Sequence, residues 1–362
     1  MSDNLPPPRK RTPRAPRDPA QRRPRVALDG VLLLDKPVGL SSNDALMRAK
    51  HLLSAAKAGH TGTLDPLASG LLPLCFGEAT KFSQDLLDAA KTYEATLRLG
   101  QTTNTGDAEG ELLSTRPVNV DLAAVNAALG KFLGEIMQVP PMYSALKREG
   151  RPLYEYARAG ITLEREARRV TIHSLELLEY GLPEQPELRL RVACSKGTYV
   201  RTLAEDIGEV LGCGAHLTAL RRTQVGMLVL DGAPTLTDLQ QRVETDGAAS
   251  AAAHWLLPVD ALLSTMAAVL LDDEQMRRFM HGQRLRLAPA QTTLETGETR
   301  EASEITPVGS RASDISTPTE IPPPASSRVK VYSAENSRLL GTARLEDGLL
   351  SPDRLLAGPT ST

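Results

Sequence analysis

AGHTGTLDPLASGLLPLCFGEATK, residues 58–81, carries the most chemical information in the chain. Gly59, Gly62 and Gly70 punctuate a polar loop that runs into an apolar strand. Glycine permits tight turns and lets a ligand approach the backbone closely. Asp65 precedes Pro66, whose ring biases the Asp65 backbone toward an extended conformation. A stiffened carboxylate in a glycine-rich loop suits a nucleophile or a base. Asp-Pro is equally a common turn former, and His60 alone would read as an ordinary loop histidine, so the residue types leave both readings open.

On the N-terminal side of this stretch, VLLLDKP is an apolar run stopped by Asp-Lys-Pro, a strand entering a turn. LSSNDALMRAKHLLSAAK follows, with Ser42 as the expected N-cap and Leu46, Ala49 and Leu53 at helical spacing. On the C-terminal side, KTYEATLRLG alternates strictly. Tyr93, Ala95, Leu97 and Leu99 face one way and Thr92, Glu94, Thr96 and Arg98 the other, which predicts a half-buried strand. Residues 121–133 read as helix, and ARRVTIHSLELLEY and PELRLRVACS as strands. YVRTLAEDIGEVL reads as a helix with Val200, Leu203, Ala204, Ile207, Val210 and Leu211 on one stripe. Long strands mixed irregularly with helices argue for an α+β fold with a largely antiparallel or mixed sheet, not a regular βαβ array.

The chain has 362 residues, a length that suits two or three domains. Residues 243–254 are Ala-rich and weakly patterned, a candidate linker. DDEQMRRFMHGQRLRL resumes a helix and a strand, and RVKVYSAENSRLLGTARL predicts a hairpin turning near Glu335-Asn336. Between them, residues 289–327 hold 13 Ser/Thr, six Pro, no aromatic residue and a net charge of −4, the composition of a disordered insertion. Residues 1–25 are Pro- and Arg-rich, with too few apolar groups to offset ordering entropy, and read as a disordered arm. The arm is either a solubilising tail or an electrostatic aid to RNA binding.

With 42 Lys/Arg against 44 Asp/Glu, the formal net charge is −2, which excludes a uniformly basic nucleic-acid coat but not a localised one. The arm carries eight Arg/Lys against two Asp, so the other 337 residues sum to −8. Cys75, Cys194 and Cys213 are odd in number and widely spaced, with no CxxC pair, which argues against a disulfide framework or structural zinc. No apolar run approaches the roughly 18–20 residues of a membrane span, and no apolar segment follows the basic N-terminus. A cytoplasmic protein is expected. It is expected to be a monomer, because no coiled-coil repeat or long exposed apolar stripe is evident. There is no phosphate loop of the GxxxxGK[ST] type, no GxGxxG after a strand, no HExxH and no GxSxG, so a reaction run by side chains, without cofactor or metal, is expected.

Two further stretches carry candidate chemistry. In CSKGTYVRTLAEDIG, Arg201 falls in the first turn of the predicted helix, about 100° around from Val200 and off the core stripe. From there it can reach a neighbouring loop, and an arginine beside a carboxylate favours the ionised form that a nucleophile needs. A surface arginine is the alternative. In PPMYSALKREGRPLYEYARAGITLEREARR, residues 140–169, seven Arg/Lys including Lys147, Arg148 and Arg151 interleave with Tyr143, Tyr154 and Tyr156, and four Glu leave the stretch at +3. Basic groups with aromatics suit phosphate contacts and base stacking; a solvated helical face is the alternative.

Taken together, DGVLLLDKPVGLSSN, GHTGTLDPLASGLLPLCFGEATK, KTYEATLRLG, VPPMYSALKREGRPLYEYAR, SKGTYVRTLAEDIG and AHLTALRRTQVG closely resemble the bacterial tRNA pseudouridine synthase B (TruB) family, in its order, over roughly residues 28–230. The resemblance implies a catalytic domain over 26–250 built on a central, largely antiparallel mixed sheet. It implies a small β-rich, PUA-like RNA-binding domain over 254–358, interrupted by the 289–327 insertion. The arm and the insertion have no counterpart in the family pattern. The resemblance implies isomerisation of the T-loop uridine of tRNA at position 55 to pseudouridine, with the base flipped out of its stack and no cofactor. The tRNA T-arm is the implied partner. The family's catalytic aspartate falls on Asp65, its active-site tyrosine on Tyr93, its arginine on Arg201 and its apolar base contact on Leu220. The histidine that occupies space left by flipped nucleotides falls on His60. Tyr199 lies in the arginine's motif and joins the expected RNA contacts. Lys36 and Pro37 belong to a motif near the active site, where support is the main expected role. The stretch from Tyr143 to Arg158, within about 140–160, resembles a mobile thumb-like insertion that closes on the T-loop, so Tyr143, Lys147, Arg148 and Arg151 are expected to touch RNA. Two other readings stay open from the residues alone: an RNA-binding or tRNA-folding factor, and a glycoside hydrolase, for which no second carboxylate stands out.

Overall fold

The computed structural model describes residues 24–181, 186–288 and 326–357. The arm expected over 1–25 and the insertion expected over 289–327 lie almost wholly outside the described residues. The fold is α+β. A ten-stranded sheet runs in the order Leu256–Leu257, Gly30–Lys36, Ala68–Phe76, Ala215–Val225, Lys91–Leu99, Glu187–Cys194, Arg168–Tyr180 and Gly134–Gln138, with short strands Ala58–His60 and Leu228–Val229 attached beside it. Every pairing is antiparallel except that of Ala68–Phe76 with Ala215–Val225.

The alternation read from KTYEATLRLG places Ala95, Leu97 and Leu99 in a core with Leu188, Leu190 and Val192 of the adjoining strand. Helix Val200–Val210 closes this core with Val200, Leu203, Ala204 and Ile207, while Val210, at the helix end, is exposed. The opposite face of these strands is an ion-pair ladder in which Glu94 lies between Arg189 and Arg191, at 3.1 and 3.5 Å. A second core forms where Leu32, Leu34, Leu72, Leu74 and Phe76 meet helix Ser42–Leu52. The Ala-rich stretch at 243–254, expected to be a linker, is instead part of this core. Helices Leu236–Asp246 and Ala248–Trp255 pack there, and buried Ala251 and Ala252 let backbones approach closely. Small side chains weaken a hydrophobic pattern in sequence while suiting close helix contact.

One edge of Ala68–Phe76 is divided. Residues 68–70 pair with Leu220–Arg222, and residues 74–76 pair with Ala58–His60. Between those pairings the Leu71 carbonyl accepts from the Arg222 side chain at 2.8 Å, and Thr61 N donates to the Pro73 carbonyl at 3.1 Å. The loop that carries Asp65 runs between these two pairings, from His60 to Ala68.

A second, five-stranded sheet orders Ala268–Leu271, Ser326–Ser333, Leu339–Glu346, Leu349–Leu355 and Leu285–Arg286, covered by helix Asp273–Met280 with Phe279 buried. Its hairpin turns where expected, between Ser333 and Leu339. A third core holds Val31, Leu71 and Cys75 of the large sheet together with Leu262, Leu263 and Leu339. The junction is also polar: Arg328 pairs with Asp85 and Asp353, Arg354 donates to the Lys81 carbonyl, and Lys81 Nζ donates to the Leu355 carbonyl at 2.9 Å.

Gly70 is a point where only glycine fits. Its φ is +96°, and a Cβ there would lie 2.3 Å from the Arg222 carbonyl oxygen. Gly70→Ala is expected to lower the unfolding free energy by roughly 2–3 kcal/mol or more. Urea denaturation measures this, and an unchanged midpoint would contradict the close strand approach.

Candidate active site

The Asp65 loop is pinned from below. Ser41, not Ser42, caps helix Ser42–Leu52, with its hydroxyl accepting from Asp44 N at 3.1 Å. This one-residue shift frees Ser42, whose buried hydroxyl accepts from Leu64 N at 2.8 Å and donates to the Leu64 carbonyl at 3.1 Å. The carbonyl of Pro66 accepts from Gly39 N at 2.8 Å, tying the loop to the turn after Lys36. Lys36 is fully buried and its ammonium donates to the Pro37 and Leu40 carbonyls at 2.8 and 2.6 Å.

Arg201 is buried, and the surface alternative gives way. Its Nη2 lies 2.9 Å from Asp65 Oδ2 and donates to the Tyr143 carbonyl at 2.6 Å. Its Nη1 lies 3.3 Å from Asp107 Oδ2 and donates to the Thr105 carbonyl at 3.1 Å. One guanidinium thus joins the Asp65 loop, the 105–107 turn and the start of the basic-aromatic stretch. The two carboxylates differ in access: the Asp107 side chain is 5% exposed and that of Asp65 is 47%. The shared cation therefore presents one carboxylate to solvent while burying the other. Asp107 is further fixed by Thr105 Oγ1 at 2.6 Å and Glu109 N at 3.1 Å. Sequence reasoning missed Asp107; its only signal was a Thr-Gly-Asp turn. Glu205, one helical turn beyond Arg201, is pushed up to about 7 by burial and by Asp206.

Tyr93 and Leu220 sit at the seam of the two main cores, each partly buried against both. Leu220 opposes Ala95 on one neighbour and Ala68 on the other; Tyr93 opposes Arg222. Burial pushes the Tyr93 hydroxyl above its ordinary value, against the pull of Arg222 beside it. His60, at the start of the loop, is held below its ordinary range by burial and by the Arg222 charge, and its buried Nδ1 has no hydrogen-bond partner among the described residues. Tyr199 precedes helix Val200–Val210 and is clamped by buried Gln138, which accepts from Tyr199 N at 3.0 Å and donates to its carbonyl at 3.3 Å. Burial raises the Tyr199 hydroxyl, which lies beside Ser144.

Tyr143 joins the site through its backbone. Lys147, Arg148 and Arg151 do not join it directly: they lie exposed on a short hairpin, Lys147–Arg148 against Arg151–Pro152. Glu149 and Gly150 both have positive φ, +52° and +81°, the signature of a tight two-residue turn. Helix Leu153–Arg158 follows, so the stretch is hairpin plus helix instead of a continuous helical face. Arg151 stacks over the Tyr156 ring at 4.7 Å and Arg158 over Tyr154 at 5.3 Å. Among the described residues, no group of three or more His, Cys, Asp or Glu side chains is placed to hold a metal ion, and no helix is long and apolar enough to cross a membrane.

Lys36 offers a test of the buried support. Burial lowers it to about 8 from the ordinary 10.5. Between those values the unfolded chain binds more protons than the folded one, so this lysine's contribution to stability rises with pH across the window. The unfolding free energy of wild type relative to Lys36→Met is expected to climb from pH 8 to 10 in urea titrations. A difference that stays flat would remove the buried ammonium.

Known proteins of the same kind supply the family. The description "TruB family pseudouridylate synthase (N terminal domain)" matches residues 50–200, "tRNA pseudouridylate synthase B C-terminal domain" residues 201–264, and "Pseudouridine synthase II TruB, C-terminal" residues 319–356. A Burkholderia lata protein named tRNA pseudouridine synthase B is 62% identical over 340 residues, covering 93% of this chain and 94% of that protein. A Cupriavidus taiwanensis protein of the same name is 58% identical over 335 residues, covering 92% and 96%. Among solved structures, a chain of a Cbf5-Nop10-Gar1 complex aligns with a TM-score of 0.63 at 25% identity, covering 91% of this chain and 85% of that one. A chain of an H/ACA RNP bound to a substrate RNA containing 2′-deoxyuridine aligns with the same TM-score at 23% identity, covering 91% and 86%, a likeness of fold. With all three segment descriptions in order and relatives matched over nearly their full length, the chain belongs to the TruB family of pseudouridylate synthases.

Proposed function

We infer that this protein isomerises the T-loop uridine of tRNA, at position 55, to pseudouridine. The observation that carries the reading is the 2.9 Å pair between buried Arg201 and half-exposed Asp65, set where Tyr93 and Leu220 mark the seam between two cores. The reaction breaks the bond between N1 of uracil and C1′ of the ribose, rotates the base, and joins C5 to C1′. C5 gives up a proton and N1 gains one, so atoms balance without a redox partner. Asp65 is the carboxylate that glycosidic cleavage requires, and Arg201 orients it. Tyr93 and Leu220 wall the flipped base, which must leave its stack at a cost of about a few kcal/mol. His60 and Tyr199 line the approach, and Lys36 braces the loop from below.

The exposed hairpin with Lys147, Arg148 and Arg151 supports a second part of the reading, a thumb over about 140–160 that grips the T-arm backbone. Its hinge to the site is the Tyr143 carbonyl held by Arg201. The second sheet, within the unit over 254–358, is proposed as the PUA-like RNA-binding part. The relatives are bacterial, and the protein is proposed to act in the cytoplasm as a monomer.

Tritium release from T-arm RNA labelled at uridine C5 tests the chemistry. Wild type is expected to release it, and Asp65→Asn to lose at least about 10³-fold in rate while still binding tRNA. Normal release by Asp65→Asn overturns the assignment. Replacing Lys147, Arg148 and Arg151 together by Ala is expected to weaken tRNA binding and to reduce its log–log salt slope by about 2. An unchanged slope removes the hairpin from the RNA interface.

A further inference from the structure

Arg222 is a bulky, fully buried side chain, 1% exposed, and sequence reasoning assigned it nothing. It lies on the strand that carries Leu220, two residues on, within a segment of unbroken register. Side chains two apart on a strand share a face. Arg222 therefore faces the same way as Leu220, and its cross-strand neighbour is Tyr93. On its other side it opposes Gly70, which has no side chain to displace it.

The guanidinium reaches two carbonyls. Nε donates to the Leu71 carbonyl at 2.8 Å, where the divided strand edge has lost its ladder partner. Nη2 approaches the Gly62 carbonyl at 3.5 Å, in the loop that carries His60 and Asp65. Tyr93 lies directly across the strand pair from this side chain, and the guanidinium charge opposes the burial that raises the Tyr93 hydroxyl. None of the ion pairs among the described residues includes Arg222, although it is buried close to two other cations, Lys36 and Lys91, whose lowering by burial its charge reinforces, as it does that of His60. A buried cation without a carboxylate, near like charges, is costly compared with an apolar residue of similar volume. Packing alone does not account for a guanidinium here. Its planar fork, which can serve several acceptors at fixed angles, does.

We propose that Arg222 is a positioning residue for the isomerisation: it holds the Tyr93 ring and hydroxyl in fixed relation to the Gly62 turn, and through that turn to Asp65. It touches neither substrate nor reacting atoms. This rests on the reading of Asp65 and Tyr93 as the pocket, and it adds the element that sets their spacing. Arg201 orients the carboxylate from one side of the loop, and Arg222 orients the loop and the tyrosine from the other.

The test is a double-mutant cycle on single-turnover conversion of T-arm RNA, with tRNA affinity measured in parallel. Arg222→Lys, which keeps the charge but loses the fork, is expected to slow conversion about 10-fold, and Arg222→Met about 100-fold, with affinity changed less than 3-fold. In a Tyr93→Phe background, Arg222→Met is expected to add less than a further 5-fold, because the hydroxyl it holds is already gone. A full 100-fold loss in that background, a loss confined to affinity, or failure of both Arg222 variants to fold would each overturn the proposal and leave Arg222 as a core residue. Wild-type conversion, and its loss in Asp65→Asn, separate failure of the activity itself from failure of the Arg222 assignment.

Discussion

The Asp65 carboxylate is referred to one buried guanidinium. Arg201 binds two carboxylates and two carbonyls from three separate segments of the chain. Charge-assisted bonds of this kind are short and directional, and breaking such a buried pair by removing one partner costs about 3–5 kcal/mol. Its position is itself determined by the helix start, where Gln138 clamps the Tyr199 backbone from the edge strand of the sheet. The first turn of a helix is a rigid mount, so the Asp65 carboxylate is held from a stiff element although it sits on a loop.

The loops around the pocket are closed in a consistent way. Lys36 bonds the carbonyls of Pro37 and Leu40, Lys91 those of Leu87 and Ala89, and Arg222 those of Leu71 and Gly62. Each is a buried cation solvated by backbone dipoles in place of water. On the outer face of the sheet, by contrast, the arginines are paired with Glu94 and Glu176 in a ladder. A net charge of −2 says nothing about this arrangement, since a field depends on where charges lie and which are compensated.

Much of the fold was legible because strands with one wet face alternate and helices with one wet face repeat at 3.6. Lys91–Leu99, Glu187–Cys194 and Val200–Val210 are of this kind. The failures share a cause. Ala251 and Ala252 carry little hydrophobic signal, and their burial depends on how closely three helices approach. Ser41 and Ser42 are adjacent and chemically alike; which one caps is settled by the Leu64 backbone, 22 residues away. For the basic-aromatic stretch the residues left a solvated helical face open as the alternative, but Glu149-Gly150 fold its first part into a hairpin.

By itself, the sequence determined which residue types would carry chemistry and which segments would form elements, because local periodicity and short motifs need no distant partner. Its resemblance to a family proposed Asp65, Tyr93, Arg201 and Leu220 as site residues, through motifs whose members lie up to 155 positions apart. Tertiary structure alone decided that Arg201 would be buried and shared with Asp107, and that Arg222 would lie against Tyr93 and the Gly62 turn. Both follow from strand order: Ala215–Val225 enters between Ala68–Phe76 and Lys91–Leu99, pairing with one in parallel and the other antiparallel. Burial of a charged side chain depends on what the rest of the chain brings to it, and that information is in no single segment.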